Sequence, residues 1–119
     1  MPILLLFLFF SACAADETDE PASANMILIE EGHTFVTSEI TAASGEVLAV
    51  INNDDTPHSI TSESAPGAFD DTGDFDVLVP SEGSQVLAVP EAPVGTIFYF
   101  YCRLHGDTMT PADGMITIE

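Results

Sequence analysis

The sequence predicts an all-β fold, a sandwich or barrel of short strands in one domain. Short runs rich in β-branched and aromatic residues recur from residue 26 to the end of the chain. Gly and Pro interrupt these runs at short intervals, which leaves no room for a long amphipathic helix. A length of 119 residues suits a single small sandwich, and no internal repeat is visible.

The predicted strands follow one another along residues 26–119. The first is the short apolar run 26–29, and the second, 46–51, lies between Gly45 and Asn52. The later ones are 84–89, 96–101 and 115–118. Residues 70–76 are acidic and are predicted to form a loop outside the core.

The first 25 residues differ in composition from the rest of the chain. Residues 2–10 are apolar but shorter than the ~20 residues that cross a bilayer, so residues 1–13 are predicted to be an export signal without a basic start. Cleavage before Cys13 with lipid attachment would give a lipoprotein, the route we favour, whereas cleavage after Ala14 would release a soluble protein. Residues 14–25 are predicted to be an acidic, flexible spacer. The expected location is periplasmic or at the cell surface, with a membrane contact only through the lipid.

The charge is strongly one-sided. Twenty acidic residues face one basic residue, Arg103, which gives a formal net charge of −19. Nucleic acid is excluded as a partner, since phosphate binding needs clustered Lys and Arg. Two explanations remain open: adaptation to a salty medium, which we favour, and steering of a basic protein partner.

Four side chains form a candidate metal set. Cys102, His105 and Met109 lie on one short segment after an aromatic strand, and His58 lies far upstream, after Pro57. One thiolate, two imidazoles and one thioether suit a single mononuclear copper ion, because His₂Cys with a weak axial Met is the electron-transfer arrangement.

Each of these ligands has a simpler alternative. Cys102, the lone thiol of the mature domain, could be a buried inert Cys. His58 could be a surface loop residue, and Met115 competes with Met109 for the axial position, although a packing role suits Met115 better. His33 lies in a turn with no Cys or His nearby in sequence, and we predict an exposed residue that is not a ligand. The role of Arg103, between two ligands, is open: it could pair with a carboxylate or meet a partner.

Four segments in order resemble the cupredoxin (blue-copper) family, and more closely its plastocyanin-, amicyanin- and halocyanin-like members. They are the copper-loop pattern from Cys102 to Met109, residues 35–46, residues 52–58 and the F-D-x-x-G stretch 69–73. The resemblance covers residues 26–119. It implies a Greek-key β-sandwich of about seven to eight strands with copper bound by His58, Cys102, His105 and Met109. It also implies electron exit through the edge of His105.

Three features depart from the family pattern. Residues 110–113 form an insertion before Gly114, and Ser59 stands where many relatives have Asn. The stretch 95–102 is one residue longer than usual, which predicts a bulge.

The function expected from these residues is that of an exported, monomeric blue-copper protein that passes single electrons between redox proteins such as a c-type cytochrome. One alternative is a protein that delivers or stores copper at the cell surface. Another is a metal-free interaction sandwich, which would have no reason to carry this donor set. An enzyme is not expected, because catalysis on a substrate normally needs an open coordination position or a second metal.

Overall fold

The computed structural model describes residues 25–119, which form nine β-strands and one short 3₁₀ turn. In chain order the strands are β1 (Met26–Glu30), β2 (Thr34–Phe35), β3 (Glu39–Ala42), β4 (Val47–Asn52), β5 (His58–Glu63), β6 (Asp76–Val79), β7 (Gly83–Ala88), β8 (Ile97–Tyr101) and β9 (Asp113–Ile118). The 3₁₀ turn is Gly106–Thr108. The export signal and nearly all of the predicted spacer lie outside the described residues.

The strands form two mixed sheets. The first has the order β3-β9-β8-β5-β6, and only its β3–β9 pair is parallel. The second has the order β2-β1-β4-β7, with β1 and β4 parallel. The all-β sandwich predicted from the sequence is confirmed. Within residues 25–119, no helix has the length and apolarity needed to cross a membrane.

The core lies between the two sheets. Alternate residues of β1 and β9 are buried, as expected of strands with one face on a core. Phe35 and Phe100 meet edge-to-face at the centre, with ring centroids 5.4 Å apart. Each fully buried large apolar side chain contributes about 1.5–3 kcal/mol to folding. Gly114 is required beside them, because a Cβ at that position would overlap the ring of Phe100.

β5 was not predicted, because its sequence lacks alternating apolar residues. All six of its residues are buried, and hydrogen bonds satisfy its hydroxyl groups. Ser59 Oγ lies 2.9 Å from Thr61 Oγ1, and Ser62 Oγ donates to the Phe75 carbonyl at 3.1 Å. Side-chain hydrogen bonds therefore replace apolar packing as the reason that this strand can be buried.

Two further predictions are corrected. The 70–76 segment is not wholly outside the core, since Phe75 is buried and Asp76 begins β6. The predicted bulge in 95–102 is also wrong, because β8 pairs with β9 in unbroken register from Ile97 to Tyr101. The turn before β8, where Gly95 has φ +94°, precedes this regular pairing.

Candidate metal centre

The candidate ligands converge at one end of the sandwich. His58 is the first residue of β5, and Cys102 directly follows β8, so the adjacent pairing of these strands brings the two together. His105 and Met109 flank the 3₁₀ turn. The amides of His105 and Gly106 donate to the Cys102 carbonyl at 3.3 and 2.7 Å, which folds the loop back beside the thiol.

The sulfur of Cys102 faces two imidazole nitrogens. Nδ1 of His58 lies 3.7 Å from Sγ, and Nδ1 of His105 lies 3.4 Å from it. A sulfur and a nitrogen that share one metal ion, with bonds of about 2.0–2.3 Å, are about 3.5 Å apart. Both sulfur–nitrogen distances therefore match donors that share one ion. His58, predicted as a ligand with a surface-loop alternative, is fully buried, which excludes that alternative.

Met109 and Met115 have different environments. Met109 is only 3% exposed and belongs to the same buried cluster as Cys102. Met115 is half-buried on β9, where it pairs with Tyr99 and Glu39 and borders an outer cleft. This contrast favours Met109 as the thioether donor and agrees with the packing role predicted for Met115.

Asp54 orients the ring of His58 through a hydrogen bond to Nε2, the ring nitrogen that does not face Cys102. Nε2 of His58 lies 2.7 Å from Asp54 Oδ2, so the ring donates on that side and offers Nδ1 toward the thiol. Hydrogen bonds from His58 and from the Asp55 and His33 amides outweigh burial and lower the pKa of Asp54 to about 2. The sequence analysis did not assign Asp54 a role in the site, although Asp54 lies within the 52–58 segment that carries the family resemblance.

Ser59 on β5 is hydrogen-bonded to the loop that begins at Cys102. Its amide lies 3.3 Å from Cys102 Sγ and donates to it, and its Oγ accepts from the Arg103 amide at 2.9 Å. A hydrogen bond to a ligand sulfur tunes a copper site. Ser59 therefore ties β5 to the Cys loop.

Arg103 is engaged within the chain. Its Nε donates to both oxygens of Asp76, at 2.9 and 3.1 Å. The open question from the sequence is thereby answered in favour of the carboxylate pair. Because this pair is about one-third exposed, its contribution to stability is small.

His33 lies on a turn, as predicted, but the prediction of an exposed residue is wrong, because its side chain is partly buried beside His58 and His105. Its ring stacks on His105 with centroids 4.2 Å apart and meets His58 edge-on at 5.2 Å. Burial and the neighbouring imidazoles lower the pKa of His105, which favours the neutral ring that a ligand requires.

The inserted segment explains why His33 is there. The Thr110 amide donates to the His33 carbonyl at 2.9 Å, and the Phe35 amide donates to the Thr110 carbonyl at 3.0 Å. Thr110 and Thr34 thus form a parallel bridge that fixes the His33 turn against the Met109 end of the loop. No local sequence pattern signals this contact.

Solved structures support the fold. No protein-family model matches the sequence, and no curated protein matches it. A purple cupredoxin from Nitrosopumilus maritimus is 18% identical with a TM-score of 0.60, and the match covers 80% of this chain and 99% of that one. The plastocyanin of Dryopteris crassirhizoma is 22% identical, with a TM-score of 0.57 and coverages of 79% and 99%.

Amicyanin from Paracoccus versutus is a third similar structure, 21% identical with a TM-score of 0.57 over 85% of this chain and 86% of that one. All three share the two-sheet sandwich at low sequence identity. The donors assembled here, two imidazoles, a thiolate and a buried thioether, are those of a mononuclear type 1 copper site. The chain therefore has the cupredoxin fold, with a donor set of the copper-binding kind at one end of it.

Proposed function

We propose that this protein is an exported electron carrier that holds one copper ion with His58, Cys102, His105 and Met109. The observation that carries the proposal is the approach of both Nδ1 atoms to Cys102 Sγ, at 3.7 and 3.4 Å. When bound, copper supplies a one-electron couple between Cu(I) and Cu(II). Thiolate and thioether donors favour Cu(I), whereas imidazoles accept both oxidation states.

The surrounding residues support fast transfer because they hold the donors in place. His58 is fully buried and fixed by Asp54, and Cys102 is fully buried and receives the Ser59 amide. Donors fixed by packing and outer hydrogen bonds keep one arrangement in both oxidation states. Met109 is also buried, which limits the access of water to the site.

His105 provides the route to a partner in this proposal. It is partly exposed, in contrast to the other three donors, and Pro57 and Leu104 are exposed on the segments that carry His58 and Cys102. We expect redox proteins such as a c-type cytochrome to approach this end, with the protein acting as a monomer. Export, and attachment through Cys13, remain predictions from residues 1–13.

Copper delivery at the cell surface is a second candidate, favoured by one observation. A third imidazole, that of His33, stands beside the partly exposed His105 and offers an incoming ion a further donor. A carrier holds its copper through many redox cycles, whereas a delivery protein releases Cu(I) to a chelator. The rate of copper loss to a Cu(I) chelator distinguishes the two.

The absorption spectrum of the copper-loaded protein tests the ligand set. We expect an intense visible band from charge transfer between thiolate and copper, since Cys102 is the sulfur that faces both imidazoles. Cys102→Ser should lose this band and keep the β-sheet circular dichroism. A Cys102→Ser variant that retained the band would refute the assignment.

A further inference from the structure

Three imidazoles, rather than two, meet at the end of the sandwich. His33, His58 and His105 each offer a ring nitrogen, and these nitrogens lie within 4.8 Å of one another. The ring centroids are 4.2 to 5.2 Å apart. The electron-carrier ligand set proposed above uses two of these rings and does not include His33.

His33 is held in this position by contacts on both sides. Its backbone has φ +56°, its amide donates to Asp54 Oδ2 at 3.3 Å, and its carbonyl accepts from Thr110 at 2.9 Å. A positive φ is uncommon for any residue other than Gly, and these two backbone hydrogen bonds hold His33 in it. Nε2 of His33 is 4.0 Å from the same Asp54 oxygen that binds His58.

We propose that His33, His58 and His105 form a second metal-binding mode, free of thiolate, that overlaps the copper site and takes a divalent ion such as Zn²⁺ or Cu²⁺. Imidazole nitrogens suit both ions, whereas Cu(I) prefers the set with sulfur. The carboxylate of Asp54, on the far side of His58, adds negative charge.

The two modes exclude one another, because both need His58 and His105. Three nitrogens on one tetrahedral ion with bonds of about 2.0–2.1 Å are about 3.4 Å apart, so the rings close in by up to about 1.4 Å. His33 and His105 lie on turns and are partly exposed, which gives them room for this shift. The inference goes beyond electron transfer, since it needs no thiolate.

Zinc binding by a chain without thiols tests the proposal. Full-length protein carrying Cys13→Ser and Cys102→Ala is titrated with Zn²⁺ by isothermal calorimetry, after circular dichroism has verified the fold. One ion per chain is expected. Adding His33→Asn, which tolerates the positive φ, should weaken binding at least about tenfold, the scale seen when a metal site loses a supporting group.

Glu31→Gln in the same background is the matched control, because it changes an exposed side chain on the same turn, and its affinity should stay within about twofold. Equal affinity with and without His33, or no zinc binding by the thiol-free chain, would overturn the proposal. If Cys102→Ala does not fold, Cys102→Ser, closer in shape, carries the same series. These outcomes are separate from the visible band, which depends on the thiolate.

Discussion

Cys102 lies where two separate segments meet, and together they contribute three interactions to its sulfur. His58 and Ser59 come from β5, and His105 comes from the loop that Cys102 begins. The spacing of Cys102, His105 and Met109 made three of the donors predictable. The fourth candidate donor, His58, was predicted from its place upstream and from the family resemblance, with a surface-loop alternative left open. Asp54 and His33 were not, because their approach depends on contacts between distant turns.

The choice of axial donor is the prediction at this scale. Met109→Leu should raise the reduction potential of the copper-loaded protein, because it removes a weak donor that helps to stabilise Cu(II). Met115→Leu, a matched change at the half-buried methionine, should leave the potential nearly unchanged. Protein-film voltammetry measures both. A large shift for Met115→Leu with none for Met109→Leu would reverse the assignment.

Alternation and composition were enough to predict the strands that have one apolar face. The five strands predicted from residues 26–29, 46–51, 84–89, 96–101 and 115–118 are present, with ends that differ by at most two residues. Neither β5 nor β6 was predicted. Hydroxyl hydrogen bonds rather than an apolar face bury β5. β6 begins at Asp76, the last residue of the acidic stretch predicted as a loop. The bridge from Thr110 to Thr34 could not be predicted either, because it joins two turns without any local pattern.

Glu63 gives the prediction at the scale of elements, where the end of β5 meets the start of β9. Among the described side chains, its Oε2 is the buried polar atom without a hydrogen-bond partner, and Oε1 accepts from the Phe69 amide at 2.9 Å. Burial, followed by the neighbouring Asp113 carboxyl, raises the pKa of Glu63 from 4.5 to about 8. When a carboxyl group has a higher pKa in the folded protein than in the unfolded chain, the free energy of unfolding falls as pH rises from the unfolded-state pKa to the folded-state pKa.

Glu63→Gln should therefore be more stable than the unchanged protein above pH 8, by up to about 5 kcal/mol because each pKa unit corresponds to about 1.4 kcal/mol, and similar to it below pH 4.5. Urea unfolding from pH 4 to 9 measures the difference. Glu39→Gln removes one exposed carboxylate from β3 and is the control. Parallel pH profiles for Glu63→Gln and the unchanged protein would contradict this account.

At the scale of the whole molecule, the charge of −19 dominates. The single basic side chain, Arg103, is already paired with Asp76, so it does little to offset repulsion elsewhere on the surface. The sequence gives the size of this charge. Among residues 25–119, acidic side chains occur on strands of both sheets and in the loops between them, which favours a general effect on stability over one partner-binding patch.

Salt should raise the melting temperature. Screening shortens the Debye length from about 10 Å at 0.1 M to about 3 Å at 1 M salt and thereby weakens repulsion among the carboxylates. Differential scanning calorimetry in sodium chloride measures the rise, and sucrose of equal osmolality controls for exclusion of solute from the surface. A flat melting temperature, together with an electron-transfer rate to a basic cytochrome that falls steeply with salt, would favour partner steering instead.

The central claim is that one copper ion, held by two imidazoles and the Cys102 thiolate, exchanges one electron at a time. A spectroelectrochemical titration of the copper-loaded protein, with the metal content of the same sample, tests this claim most directly. The account predicts one copper per chain and a visible band that disappears and returns along a reversible one-electron curve. A copper-loaded protein without that band, or with a band that does not respond to potential, would contradict it.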